Sequence, residues 1–218
     1  TFLNFLPLAK HFHVITSLPN VFFTKLEPRG ALSKPVYDDN TVVFGKSQLR
    51  HFDWKQVLDM YSCTECGRCS AQCPATATGK PLAPRQMLLN MRDHLYKNGH
   101  AVLGEDWLEK VVEAEGQWVT DEVVWSCVTC RACEEACPVN IEYVDKIVDM
   151  RRHLVQEEAR FPQELTRTFK GMETQGNPWG LGADKRDAWT EGLDIPTLAD
   201  NPEAEYLFFV GCAGSFDD

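Results

Sequence analysis

Eight of the nine cysteines fall into two copies of one spacing pattern, each ending in a proline. In each copy two residues separate the first three cysteines from one another, and three residues precede the fourth. This spacing holds [4Fe–4S] clusters, because the first three thiolates wrap one cubane while the fourth binds the other cluster. The sequence therefore predicts two clusters with exchanged fourth ligands: Cys63, Cys66, Cys69 and Cys137 for cluster 1, and Cys127, Cys130, Cys133 and Cys73 for cluster 2.

Two other uses of eight cysteines are possible in principle. They could form two all-cysteine zinc sites, but zinc modules usually present C-x2-C pairs a dozen or more residues apart. A disulfide framework fits less well, since no secretory signal is visible in the sequence. We therefore favour electron transfer by bound clusters, with no catalytic side chain identified, and keep a zinc-binding interaction module as a remote alternative.

Composition narrows the class of protein further. The chain of 218 residues carries a net charge of −10 and is 44% hydrophobic, which suits one or two ordinary globular domains. No basic stripe is present, so we expect no nucleic-acid partner. No run of 18 or more apolar residues occurs, so hydropathy alone predicts no complete transmembrane helix.

The pattern of apolar residues between the ends predicts a mainly α fold, because no long run alternates with period two. Asp53 is placed to cap a short helix that leads into the first motif. Apolar residues at helical spacing predict further helices near residues 84–98, 105–115 and 141–155. Residues 31–60, which include Pro35 and Gly45, are expected to be a linker.

The two ends of the chain differ from its middle. Residues 1–23 are apolar and aromatic, and their only ionisable side chains are Lys10, His11 and His13. Residues 161–205 are expected to be a second linker. The run 206–211 predicts a buried first strand of an α/β unit, followed by Cys212. Because the chain begins at Thr1 and stops shortly after that run, we expect it to be part of a longer protein.

One stretch of the chain resembles the α-helical ferredoxin domain of heterodisulfide reductase-like proteins: residues 63–160, above all Trp125–Cys130 and Cys133–Val139. That set includes one of the subunits of anaerobic glycerol-3-phosphate dehydrogenase. Residues 208–217 are similar to the opening of the cysteine-rich domain of heterodisulfide reductase, where a lone cysteine precedes a Cys-Cys-Gly pair. The resemblance implies a ferredoxin domain over residues 61–160 and the start of a cysteine-rich domain at 206–218. Cys212 would be its lone cysteine, and a further iron–sulfur cluster could bind there; a small buried thiol is the other interpretation of Cys212.

Residues 6–14 are similar to the last membrane helix of the nitrate reductase gamma subunit family. In that family a proline, a basic residue and a histidine that ligates haem b recur, and Pro7, Lys10 and His13 match them. The resemblance implies that residues 1–30 end a haem b membrane domain, with His13 as an axial ligand. His11 is the alternative ligand, on a different face of the helix.

Together these three segments resemble membrane-bound iron–sulfur oxidoreductases that are proposed to link electron transfer flavoprotein to menaquinone. The resemblance implies a quinone-linked oxidoreductase that passes electrons between a soluble donor, the flavoprotein, and haem b and menaquinone. It also implies a location at the cell membrane, with the iron–sulfur domain on the cytoplasmic side. The alternative is an electron-transfer subunit of a heterodisulfide reductase-like or glycerol-3-phosphate dehydrogenase-like complex.

Overall fold

The computed structural model describes residues 6, 10–28, 30–35, 44–98, 111–113 and 118–217. The chain divides into two compact units, Thr1–Arg160 and Phe161–Asp218. Unit 1 contains both cysteine motifs, and unit 2 contains Cys212.

Unit 1 is built mainly from helices, which confirms the predicted helical class. Its helices are α1 (His13–Phe22), α2 (Trp54–Ser62), α3 (Arg68–Ala71), α4 (Pro74–Ala77), α5 (Pro84–Asn98), α6 (Asp121–Trp125), α7 (Ala132–Glu135) and α8 (Tyr143–Gln156). Single 3-10 turns occur at Lys10–Phe12 and Leu49–His51. The strands β1 (Val112–Glu113) and β2 (Val119–Thr120) pair in parallel, with Val112 opposite Val119.

Local sequence signals explain where the longer helices begin. Asp53 Oδ1 accepts a hydrogen bond from Gln56 N (2.8 Å), so Asp53 caps α2 as predicted. The predicted helix 84–98 is confirmed as α5. The helix predicted near 105–115 is wrong at Val112 and Glu113, which lie in β1; residues 105–110 lie outside the described part of the chain.

The core of unit 1 lies between α2, α5 and α8. Its largest fully buried side chains include Met60, Leu88, Met91, Ile147 and Met150, all no more than 1% exposed. The apolar stripes predicted on α5 and α8 face this core, as helical periodicity requires. The motif loops therefore rest on a packed helical support.

Part of the segment expected to be a linker, residues 31–60, belongs to this core. Leu49, Phe52 and Met60 are buried in the hydrophobic cluster. Lys46 N donates a hydrogen bond to Asp149 O (3.0 Å), which attaches the segment to α8. These contacts join residues far apart in the sequence. The Pro and Gly residues predicted a linker because local composition does not reveal such contacts.

Helix α1 packs against the rest of unit 1 with its polar side. Thr16 and Asn20, one turn apart, are buried, while Val14, Leu18 and Phe22 are 60%, 76% and 80% exposed. This is the reverse of an ordinary surface helix, whose apolar stripe faces the core. None of the helices that the structure describes combines the length and hydropathy needed to cross a bilayer.

Unit 2 consists of α9 (Leu165–Gln175), two 3-10 turns at Ala183–Lys185 and Ala188–Thr190, and α10 (Cys212–Phe216). Asn177, fully buried, organises the loop after α9: its side chain donates to Leu181 O (2.7 Å) and accepts from Leu181 N (3.2 Å).

The strand predicted at residues 206–211 is wrong for the described chain. Residues 206–210 form no strand, and Tyr206 and Phe209 are 83% and 87% exposed. A strand needs a neighbour to pair its backbone groups. Neither of the two strands in the described residues lies in this part of the chain, so apolar composition alone did not produce a strand here.

Candidate metal-cluster sites

The two motif loops adopt one conformation twice. Glu65 N lies 3.4 Å from Cys63 Sγ, and Thr129 N lies 3.3 Å from Cys127 Sγ. Both Glu65 and Thr129 have left-handed backbones, with φ of 57° and 55°. In each loop this turn aims a backbone N–H at the first cysteine sulfur, where it stabilises negative charge on a thiolate.

A second left-handed residue follows two positions later in each loop and starts a short helix. In the first loop it is Gly67 (φ 80°), which precedes α3, and in the second it is Arg131 (φ 61°), which precedes α7. A left-handed backbone costs a non-glycine residue about 1–2 kcal/mol. The side chain of Arg131 offsets this cost through ion pairs with Glu134 (2.8 Å) and Asp145 (3.7 Å).

Four thiols from both motifs line one cavity, which we call cavity 1: Cys63, Cys66, Cys69 and Cys137. Its remaining wall includes Arg85, Val139, Ile141 and Tyr143. The backbone N–H of Ile141 lies 3.4 Å from Cys137 Sγ. Cavity 1 thus gathers three cysteines of the first motif and the last cysteine of the second.

The other four thiols line a second cavity, which we call cavity 2: Cys73, Cys127, Cys130 and Cys133. Its wall is mainly aliphatic and includes Leu82, Val144 and Ile147, together with Arg131. Pro74 begins α4 directly after Cys73, so the chain turns away as soon as that cysteine has reached cavity 2.

The thiols are spread around the cavity walls and are too far apart to bind one metal ion together. Within the described ranges, no three potential ligands converge closely enough to bind one metal ion. Cys63, Cys69, Cys73 and Cys133 are buried, whereas Cys66 and Cys130 are exposed. Each cavity therefore has a dry inner side and one ligand that faces solvent.

Burial controls how readily these thiols ionise. Burial raises the pKa of Cys63 to about 11, and burial together with the neighbouring Glu134 carboxylate raises the pKa of Cys133 well above its ordinary value. At neutral pH these buried thiols are protonated when no metal is bound. Cluster binding must therefore displace protons, which couples it to pH.

Helix α8 contacts both motif loops through side chains that sequence reasoning missed. The Tyr143 hydroxyl donates to Cys69 Sγ (3.3 Å), and both atoms are buried. Arg151 donates to Val124 O (2.8 Å) and to Cys127 O, and its guanidinium lies 5.2 Å from the Trp125 ring. The Tyr143–Cys69 contact joins residues 74 positions apart, so no local pattern in the sequence signals it.

A buried ion pair joins α8 to α2. Lys146 Nζ contacts Asp59 Oδ2, both side chains being fully buried, and also donates to Glu142 O (2.7 Å). Lys55 Nζ lies 2.8 Å from Asp59 Oδ1. Such a pair fixes the relative position of the two helices, because either charge left alone would be strongly unfavourable.

The other predicted site residues belong to other elements of the chain. His13 is the half-buried first residue of α1, and His11 is exposed in the preceding 3-10 turn. Cys212, half-buried at the start of α10 in unit 2, has its Sγ 3.6 Å from Arg186 Nη2. Pro7, part of the expected haem motif, lies outside the described residues.

The thiol sets fit [4Fe–4S] clusters on chemical grounds. Each cavity offers four cysteine sulfurs, which is the ligand set of a cubane. Backbone N–H groups already point at Cys63, Cys127 and Cys137, and donors of this kind compensate the negative charge of ligating thiolates. Fold and sites together define a helical module for two clusters.

Comparisons with known proteins agree with this class. Residues 59–141 match the family model of the 4Fe-4S dicluster domain. The chain is 36% identical over its whole length to the EtfAB:quinone oxidoreductase of Syntrophomonas wolfei, and covers 34% of that protein. It is 38% identical to a probable membrane-anchored ferredoxin of Chromohalobacter salexigens, over 83% of this chain and 29% of the relative.

One subunit of the ferredoxin/F(420)H(2)-dependent CoB-CoM heterodisulfide reductase of Methanosarcina acetivorans is 34% identical, over 67% of this chain and 80% of the subunit. The chain therefore belongs to the 4Fe–4S dicluster oxidoreductases related to heterodisulfide reductase, as its cysteine motifs indicate. It spans about a third of the length of the Syntrophomonas and Chromohalobacter relatives.

Proposed function

We propose that this chain conducts electrons through two [4Fe–4S] clusters, one held in each cavity. A bound cluster accepts and releases single electrons, and the protein fixes its position, exposure and potential. One observation carries the proposal: each cavity is lined by four thiols, and in each the fourth comes from the other motif. This exchange supports the predicted ligand sets and ties the two halves of the domain together.

Metal analysis and one variant test this proposal. Anaerobically purified protein should contain about eight irons and eight sulfides per chain. Because Cys73 lines cavity 2, Cys73→Ser should damage cluster 2 and leave cluster 1 intact in electron paramagnetic resonance (EPR) and iron assays.

The matched control is Cys212→Ser, which removes the cysteine that lies in unit 2. It should keep both clusters. Loss confined to the cluster of Cys63, Cys66 and Cys69 in the Cys73 variant would contradict the exchange. About two zinc ions per chain, without iron, would favour the zinc-binding module instead.

We propose further that the electrons pass between a soluble flavoprotein of the electron transfer flavoprotein type and menaquinone. The name of the Syntrophomonas relative, an EtfAB:quinone oxidoreductase, supports this pair of partners. A second candidate is an electron-transfer subunit of a heterodisulfide reductase-like complex, which the similarity to the Methanosarcina protein favours. Reduction of the clusters by reduced flavoprotein, and reoxidation by a menaquinone analogue, distinguishes the first from the second.

The location we propose is the cell membrane, with the clusters on the cytoplasmic side. The exposed Val14, Leu18 and Phe22 of α1 support contact with lipid, as does the name of the membrane-anchored ferredoxin relative. A helix with its polar side on the protein and its apolar side outward suits a membrane surface.

His13 is our candidate haem b ligand, at the start of that helix. In the intact membrane protein, His13→Ala should remove one haem b signal from the optical spectrum while both iron–sulfur signals remain. The matched control is His11→Ala, which should keep the haem. If His11→Ala loses the haem and His13→Ala keeps it, the ligand is His11; if both keep it, this segment binds no haem.

A further inference from the structure

The two cavities differ in the hydrogen-bond donors of their walls. In cavity 1 the buried Tyr143 hydroxyl donates to Cys69 Sγ at 3.3 Å. Among the described residues, no side-chain hydroxyl lines cavity 2. The motifs are offset by 64 residues, from Cys63 to Cys127, and the residue 64 positions before Tyr143 is Gly79. The second site therefore has no counterpart of this donor.

Arginine side chains lie beside both cavities. Arg85 lines cavity 1, where its Nη1 lies 3.4 Å from the carbonyl oxygen of Glu65. In the described part of the chain, no carboxylate lies within ion-pair distance of Arg85. Arg131 lines cavity 2, but Glu134 and Asp145 neutralise it at 2.8 Å and 3.7 Å. Arg151 donates to Cys127 O and has no carboxylate within ion-pair distance in the described chain, so arginine charge does not distinguish the two sites and Tyr143 is the difference between them.

We propose that Tyr143 gives cluster 1 a higher reduction potential than cluster 2, so that electrons pass from cluster 2 to cluster 1. Reduction adds one negative charge to a cluster and its thiolates. A hydroxyl that donates to a ligating sulfur stabilises that charge. In each transfer one electron leaves cluster 2 and arrives at cluster 1; no bond is made or broken, and Tyr143 keeps its proton.

The direction has a consequence for the proposed function, on which this inference rests. Val139 lines cavity 1, and its carbonyl oxygen accepts a hydrogen bond from Asn20 Nδ2 of α1 (2.9 Å). Cluster 1 is therefore the cluster attached to the helix with the exposed apolar face. Electrons from a soluble donor would enter at cluster 2 and leave at cluster 1, on the side of α1.

The test is an EPR-monitored redox titration of the protein with both clusters bound. Tyr143→Phe, which removes only the hydroxyl, should shift the midpoint potential of cluster 1 to a more negative value and leave that of cluster 2 unchanged. Cys130→Ser changes a ligand of cluster 2 alone, so the signal that it alters identifies that cluster.

The matched control is Tyr61→Phe, two residues before Cys63. No cysteine sulfur in the described residues accepts from the Tyr61 hydroxyl, so both potentials should be unchanged. Unchanged potentials in Tyr143→Phe, or a lower potential for cluster 1 in the unmodified protein, would overturn the inference. If Tyr143→Phe loses a cluster, resonance Raman spectra of the unmodified protein in H2O and D2O replace the variant: absence of any shift in the Fe–S(Cys) stretches on exchange rejects the O–H···S bond. Failure of the proposed function would appear differently, as protein without two clusters.

Discussion

At the scale of single residues, backbone conformation decides which positions tolerate substitution. Gly45 and Gly79 both have left-handed backbones, with φ of 71° and 76°. A Cβ at Gly45 would overlap backbone atoms of Asp149 and His153 on α8, whereas a Cβ at Gly79 would meet nothing within 4 Å. The glycine at residue 45 is therefore required by close packing as well as by its φ angle.

We predict that Gly45→Ala destabilises unit 1 by about 3 kcal/mol or more, because left-handed strain and overpacking add. The matched control, Gly79→Ala, carries the left-handed strain alone and should cost about 1–2 kcal/mol. Urea unfolding followed by cluster absorbance measures both. Equal midpoints for the two variants would show that residue 45 can move away from α8.

At the scale of elements, the N-cap residue Asp53 stabilises α2, the helix that leads the chain to Cys63. Burial acts to raise the pKa of Asp53, but the hydrogen bond from Gln56 N and the nearby Lys46 ammonium outweigh it, so the net pKa is lowered. A carboxyl whose pKa is lowered by folding contributes stability above its unfolded pKa of about 3.9. That contribution is lost as pH falls through the lower folded value.

Asp53→Ala should therefore cost about 1 kcal/mol at pH 7, with a smaller difference from the unmodified protein as the pH falls below about 4. Asp53→Asn keeps a capping oxygen and should lose little at pH 7 while removing the dependence on pH. Thermal melts at several pH values compare the three proteins. A constant difference between Asp53→Ala and the unmodified protein across this range would exclude the carboxylate as the titrating group.

At the scale of the whole molecule, α1 presents the proposed lipid contact. Burying a side chain such as Leu18 or Phe22 contributes roughly 1.5–3 kcal/mol. Replacing both by glutamate should therefore weaken binding of the chain to phosphatidylcholine–phosphatidylglycerol vesicles by at least about tenfold. Iron content should not change, because both side chains point away from the protein at 76% and 80% exposure.

Vesicle co-sedimentation measures this binding, and Met172→Glu provides the control. Met172 is 51% exposed on α9 of unit 2, so a charge there should leave vesicle binding unchanged if α1 is the contact. Equal loss in both variants would point to general charge repulsion. Undiminished binding of the α1 variant would remove the support that this helix gives to a membrane location.

Local spacing in the sequence determined much of this protein. The cysteine pattern predicted both ligand sets, because the loop that holds three thiolates is a local structure and the exchange of the fourth ligand is a known rule of this spacing. Apolar periodicity predicted α5 and α8, and a single side chain predicted the start of α2. The ligand sets stay predictions until iron is measured, but the thiols of each set line one cavity.

Tertiary structure decided what depends on contacts between distant parts of the chain. Three such contacts join residues at least 74 positions apart: the hydrogen bond from Tyr143 to Cys69, the ion pair of Lys146 and Asp59, and the polar attachment of α1 through Asn20. Composition predicts an apolar segment at α1. Only the packed structure of unit 1 shows that the polar side of this helix faces the protein. The same reason explains the missing strand at 206–210: an apolar run becomes a strand only beside a partner.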